Sequence, residues 1–209
     1  GRRMNINAIQ VKELRLKTGA GMMDCKKALV NSDGDLNKAI DYLRKTGISK
    51  AEKKGSRDTK EGIVYSYIHA GGKLGVLIEI NCETDFVAKT DGFKTLAHNL
   101  SMHIAATNPI SIDRESIASD IIKREEDILT DQAKSEGKPE SIVKKIVDGR
   151  LNKFYQENCL LDQTFVKDQD KKISDIIAET VSTLGENISI RRFIRYAIGE
   201  EIIFNQSYI

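Results

Sequence analysis

Residues 62–80 read GIVYSYIHAGGKLGVLIEI, and where they begin the spacing of apolar residues changes from helical to alternating. Ile63, Tyr65, Tyr67 and His69 alternate with Val64, Ser66 and Ile68, the two-residue period of a strand. Ala70-Gly71-Gly72-Lys73 supplies turn residues, and Leu74 to Ile80 follows as an apolar run. Two strands joined by a Gly-rich turn make a hairpin. The second strand is apolar on both faces, so it is expected at the centre of a sheet or covered by helices.

On both sides of this hairpin the spacing is helical. Upstream, residues 7–17 place Ile9, Val11, Leu14 and Leu16 around one side of a helix, and Thr18-Gly19-Ala20-Gly21 breaks it. Met22 to Asn31 reads as a second helix with Met23, Ala28 and Leu29 inward. Ser32-Asp33-Gly34-Asp35 is a turn with cap chemistry. Leu36 to Lys45 reads as a third helix, with Leu36, Ala39, Ile40 and Leu43 at 3–4 spacing, and Gly47 stops it. The basic stretch 48–61 reads as a linker or a frayed helix.

Downstream, residues 90–107 carry an apolar stripe of Phe93, Leu96, Ala97, Leu100, Ile104 and Ala105, ended by Pro109. Residues 113–136 read as a charged helix with Ile117, Ile121, Ile128 and Leu129 as buried candidates. Pro139 suits the first turn of the next helix, which runs to about Asn158. Residues 159–167 read as loop or short strand, Ser174 to Leu184 as helix, and Ile188 to Ile198 as a final strand. The expected class is α+β. Its expected parts are a three-helix head at 4–47, a basic linker at 48–61, a core of antiparallel sheet and helices at 62–200, and an extension at 201–209. Met4 reads as a natural start, with Gly1 to Arg3 as a cloning scar or processing remnant.

Composition excludes several function classes. The chain has 209 residues, 40% hydrophobic and 31% charged, which is not a disordered composition. No apolar run approaches the roughly 18 residues of a membrane span. Net charge is +2, which argues against a dedicated duplex-DNA binder. That sum conceals an asymmetry: residues 1–60 carry +8 and residues 61–209 carry −6. Two parts with different faces or partners would produce it.

Catalytic and metal signatures are missing. No Walker A sequence, no GxGxxG opening a helix, no GxSxG and no HExxH occurs. Cys25, Cys82 and Cys159 form no CxxC and read as buried thiols in a reducing compartment. His98 and His103 are five apart, on different sides of a helix, so no metal site is expected. Glu83 and Asp85 follow a strand and could be a carboxylate pair, or Thr84 or Asp85 could cap a helix. Phe86 is then either a staple packed onto the core or an exposed anchor.

Two long segments carry a resemblance. Leu14-Arg15 with Thr18-Gly19-Ala20-Gly21-Met22-Met23-Asp24-Cys25-Lys26-Lys27-Ala28-Leu29 resembles the N-terminal signature of the translation elongation factor Ts family. Glu79-Ile80-Asn81-Cys82-Glu83-Thr84-Asp85-Phe86-Val87-Ala88-Lys89 resembles its second signature. Gly137-Lys138-Pro139 through Gly149-Arg150, and Gly185-Glu186-Asn187-Ile188 with Arg191-Arg192, also resemble that family. The resemblance covers about Ile6 to Glu200.

It implies a guanine nucleotide exchange factor for elongation factor Tu, with a ubiquitin-associated-type head, no cofactor and no catalytic chemistry of its own. By motif position it implies a role for Thr84, Asp85, Phe86 and Val87 in dislodging magnesium from the GTPase. It implies head contacts from Arg15, Met22, Met23 and Lys26, with Met23 also expected in part in the head core. Ser101-Met102-His103-Ile104-Ala105-Ala106 resembles a second partner-facing helix, and a lone histidine there is otherwise a satisfied core group. One core is visible where longer relatives have two, which resembles the short forms that pair through the core sheet. A homodimer carrying two GTPase molecules is the expectation. The expected compartment is the bacterial cytoplasm, or a plastid or mitochondrial matrix if a transit peptide preceded Gly1. The competing reading is a nucleic-acid or ribosome-associated protein using 44–60, a stretch without interleaved aromatics for stacking.

Overall fold

The computed structural model describes residues 6–201. The expected start at Met4 and, apart from Glu201, the expected extension at 201–209 lie outside them. Helix α1 (Ala8–Thr18) opens on a reciprocal cap between Asn7 and Gln10 and closes at Gly19 in the left-handed conformation. Helix α2 (Met22–Asn31) follows, and Asp35 caps α3 (Leu36–Lys54) by accepting from the Lys38 amide at 3.0 Å. Val11, Leu14, Cys25, Ala28, Leu29 and Ala39 form the head core.

Several expectations about these helices are corrected. Ile9 and Leu16 are exposed, because the stripe that α1 buries is Val11 and Leu14, three apart. Met23 is 76% exposed, because the buried face of α2 is Cys25, Ala28 and Leu29. Met23, Lys26 and Val30 lie on the opposite stripe. Gly47 does not stop α3, which continues to Lys54, so the basic stretch begins as helix. Gly47 is buried where α3 packs along α8, with the Ser182 side chain 3.7 Å from where a Cβ would stand.

Strands β1 (Glu61–Ile68) and β2 (Leu74–Cys82) form the expected hairpin. A short helix α4 (Asp85–Ala88) leads into α5 (Asp91–Thr107). Helices α6 (Ser119–Ser135) and α7 (Glu140–Asn158) pack on each other through Leu129, Ala133, Val143, Val147 and Leu151. Ile121 and Ile128 face solvent, and the segment before Ser119 is not helical. A 3₁₀ turn (Leu160–Asp162) precedes β3 (Thr164–Phe165), within the stretch read as loop or short strand, which pairs with β4 (Asp168–Lys172), a strand that the apolar pattern does not reveal. Helix α8 (Ile173–Leu184) and β5 (Ser189–Ala197) complete the described chain.

The main sheet has the order β1-β2-β5, so β2 is central as expected. The architecture is α+β. Only one face of β2 is covered: Val76, Ile78 and Ile80 are buried while Leu77 is exposed. Gly62 is required at the hairpin base. Its φ is +150°, and a Cβ there would stand 2.1 Å from the Ile80 carbonyl oxygen.

The chain divides into two compact units that follow packing rather than chain order. One holds the residues up to Ile63, Ile80–Leu96 and Lys171–Ser189. The other holds Val64–Glu79, Ala97–Asp170 and the residues from Ile190 on. No helix among the described residues is long and apolar enough to cross a membrane.

Candidate functional site

Strand β2 ends at Cys82, whose buried thiol donates to the Thr84 carbonyl at 3.1 Å. Burial, and then the nearby Glu186 carboxylate, push that thiol up to about 11, so it stays protonated. Thr84 is the cap of α4, its hydroxyl accepting from the Val87 amide at 3.4 Å. With the cap at Thr84, the staple positions fall on Glu83 and Ala88. Ala88 is buried, and Phe86, at the second helical position, is 80% exposed. The staple reading of Phe86 is therefore overturned, and the ring stands in solvent.

Asp85 is also exposed and pairs with Lys89 one turn on at 2.9 Å. The Lys89 hydrogen bond and charge hold its carboxyl below the usual range. Glu83 points elsewhere: its Oε1 accepts from the Asn187 amide at 2.7 Å and lies 3.5 Å from the Arg57 guanidinium. The two carboxylates do not converge, which removes the acid–base reading of this pair.

Glu186 lies in the Gly185–Ile188 block, where its spacing signals no role. Its carboxylate accepts from the Thr84 amide at 2.9 Å and from the Thr84 hydroxyl at 2.7 Å. Asn187 donates through its side-chain amide to the Arg57 carbonyl at 2.8 Å, and Lys54 donates to the Gly185 carbonyl at 3.0 Å. Two segments about a hundred residues apart are thus tied to each other and to the end of α3. Nothing in the spacing signals this, since Glu and Asn after a helix-ending glycine are common turn residues.

The head residues lie where α1 ends and α2 begins. Arg15, Met22, Met23 and Lys26 are all exposed. Thr18 braces this corner, donating to the Leu14 carbonyl at 2.7 Å and accepting from the Ala20 amide at 3.3 Å. In the basic stretch, Lys50 pairs with Asp24 at 2.8 Å, and Lys54 and Arg57 are engaged as above. Three of the cations on which the nucleic-acid reading rests, Lys50, Lys54 and Arg57, thus have partners within the chain.

His103 is fully buried in the second unit. Its Nδ1 accepts from the Val166 amide at 3.2 Å, so Nε2 carries the proton and donates to Gln163 Oε1 at 2.8 Å. Burial lowers its pKa, keeping the ring neutral. Its side chain is a satisfied core group and does not reach the surface.

The family model described as "Elongation factor TS" matches residues 45–200. Elongation factor Ts of Moorella thermoacetica is 55% identical over 95% of this chain and 98% of that protein. The Syntrophomonas wolfei protein of the same name is 56% identical over 94% of this chain and 92% of its own length, and the Geobacter metallireducens one 55% over 94% and 91%. The chain belongs to the elongation factor Ts family. It is accordingly an elongation factor of protein biosynthesis. The blocks that resembled the Ts signatures differ in what they do here. Phe86 and the head corner are displayed, whereas Glu83, Glu186 and Asn187 are spent on holding the Phe86 turn.

Proposed function

We propose that the protein is a guanine nucleotide exchange factor for elongation factor Tu, acting by binding and distortion rather than by catalytic chemistry. The observation that carries this reading is an 80% exposed Phe86 on a turn whose N-terminal side is tied down at Glu83 and Thr84. A P-loop GTPase holds GDP through backbone amides, a lysine and magnesium. Magnesium demands near-octahedral geometry, so a small displacement of its surroundings weakens the nucleotide. Phe86 inserts as an apolar wedge beside that site, and Asp85 competes for donors near the metal. Thr84 and Val87 shape the same tip. Arg15, Met22, Met23 and Lys26 dock the head on the GTPase, with the methionines as adaptable apolar contacts. His103 acts from inside, by fixing α5 against the Val166 segment.

Exchange then follows from linkage. Whatever affinity the factor gains for the nucleotide-free GTPase is lost from GDP. A shift of about four orders of magnitude takes about 5.5 kcal/mol of differential binding.

The same reading makes the protein a homodimer in a two-plus-two complex. The uncovered sheet face supports it: Val64 is exposed, as are Ile68, Leu77, Ile194, Tyr196 and Ile198, which line an open cavity of about 390 Å³. A two-fold contact would bury that face on both copies. The bacterial relatives favour the bacterial cytoplasm over an organelle matrix.

The test is release of fluorescent GDP from purified elongation factor Tu with and without the protein. Acceleration is expected, and none at stoichiometric excess overturns the reading.

A further inference from the structure

An exposed aromatic on a four-residue helix needs an external hold. One helical turn fixes several dihedrals for one hydrogen bond and does not persist alone in water. Here the hold comes from the turn after α8. Glu186 accepts from both the backbone amide and the hydroxyl of Thr84, at 2.9 and 2.7 Å. Glu83 returns the contact by accepting from the Asn187 amide at 2.7 Å. Each segment therefore gives the other an acidic side chain and a backbone donor. Gly185 makes the exchange possible, since its φ of +80° turns the chain off α8 at once. The Thr84 hydroxyl also caps α4, so the Glu186 contact orients the group that orients the helix.

We infer that Glu186 is a positioning residue for exchange: it holds Thr84, and through Thr84 keeps Phe86 displayed before any partner arrives. The inference rests on the exchange reading above. On this inference Glu186 acts through Thr84, so its effect is on the fraction of molecules with a competent tip. A fall in that fraction raises the apparent dissociation constant in proportion and disappears at saturation. Loss of an interaction made only in the distorted complex instead lowers the rate at saturation.

The test titrates unmodified protein, Glu186→Ala, Glu186→Gln and Phe86→Ala against elongation factor Tu loaded with fluorescent GDP. Glu186→Ala loses two charge-assisted hydrogen bonds, and its half-saturating concentration is expected to rise about tenfold with the plateau rate within twofold. Glu186→Gln keeps one acceptor for the Thr84 amide and is expected to rise only about threefold. Phe86→Ala is expected to lower the plateau. Amide hydrogen exchange on the free protein adds a readout that needs no partner. In Glu186→Ala the Thr84 and Val87 amides are expected to exchange about tenfold faster, while those within α8 keep their protection.

A half-saturating concentration within twofold of the unmodified protein, or a plateau loss in Glu186→Ala, overturns the inference and leaves the exchange reading standing. Unchanged Thr84 protection does the same. If α8 amides lose protection in Glu186→Ala, Glu186→Gln carries the comparison, and no rise there overturns the inference. If the unmodified protein does not accelerate GDP release, the exchange reading fails and this inference falls with it.

Discussion

Replacing Phe86 by alanine separates the two jobs an aromatic can have at a helix start. A staple holds the fold together, and an anchor holds a partner. Full burial of a phenylalanine side chain contributes about 1.5–3 kcal/mol to folding. Phe86 is 80% exposed, so about a fifth of that, roughly 0.3–0.6 kcal/mol, is the most that its removal costs in stability. A central interface aromatic contributes about 2 kcal/mol or more to its complex. At about 1.36 kcal/mol per tenfold, the exchange rate at saturation should fall about 30-fold. Urea unfolding followed by circular dichroism gives the first quantity, and fluorescent GDP release gives the second. The expected pattern is a nearly unchanged midpoint with a large loss of exchange. A stability loss above about 1.5 kcal/mol would mean that the ring packs on the core after all. An exchange rate within twofold of the unmodified protein would refute the wedge.

Gly62→Ala puts a Cβ 2.1 Å from the Ile80 carbonyl oxygen, and the strands must part to admit it. A loss of roughly 2–4 kcal/mol is expected in urea unfolding. Gly47→Ala meets only an ordinary contact with Ser182 inside a helix and should stabilise by about 0.5–1 kcal/mol on the same scale. His103 has a folded pKa below its unfolded value near 6.5, so the unfolded chain binds its proton first. Its contribution is complete above that pH and is lost as pH falls through the lowered folded value, with a slope approaching about 1.4 kcal/mol per pH unit. Unfolding free energies from pH 7.5 to 5 measure this, and His103→Gln should flatten the curve. Leu77→Lys places a charge on the uncovered sheet face. On the proposed homodimer, light scattering is expected to report dimer for the unmodified protein and monomer for the variant, with exchange kept at high concentration.

What the sequence made legible was local. The hairpin announced itself because alternation over 63–69 and the Gly-Gly turn are both short-range signals. The helices were found for the same reason, since their apolar spacing repeats within one turn. The failures came where burial is decided by a distant element. Gly47 reads as a stop when only its propensity is considered, yet α8 packs beside it and carries the helix on. Ile9, Leu16 and Met23 are apolar without being buried, because hydrophobicity does not say which side a neighbour will take. Strand β4 has no sequence signal because Asp168–Lys172 is polar, and Thr164–Phe165 is too short for a period to decide between the loop and the short strand expected there. At the candidate site, the residue types were readable but their division of labour was not. Glu83 and Asp85 look alike in sequence, but Glu83 anchors a backbone amide 104 positions on, which no local pattern signals, whereas Asp85 pairs with Lys89 one turn on.

That division bears on how a signature should be used. A matched block invites the view that each of its residues meets the partner. Here Glu83 and Glu186 point the other way: Glu186 spends about half of its acceptor sites on the two hydrogen bonds from Thr84, and Glu83 accepts from the Asn187 amide. The exposed members, Phe86 and the methionines, are the ones whose side chains lack an internal use. Display and support are coupled, because an apolar ring held in water is stable only if the turn beneath it is fixed by other means. An exchange factor gains from this arrangement, since ordering the tip in advance leaves more of the contact energy to oppose nucleotide binding. In the proposed mechanism the polar network is thus what lets a short, intrinsically unstable helix act as a wedge. Substitutions in it should weaken encounter without changing the chemistry of release.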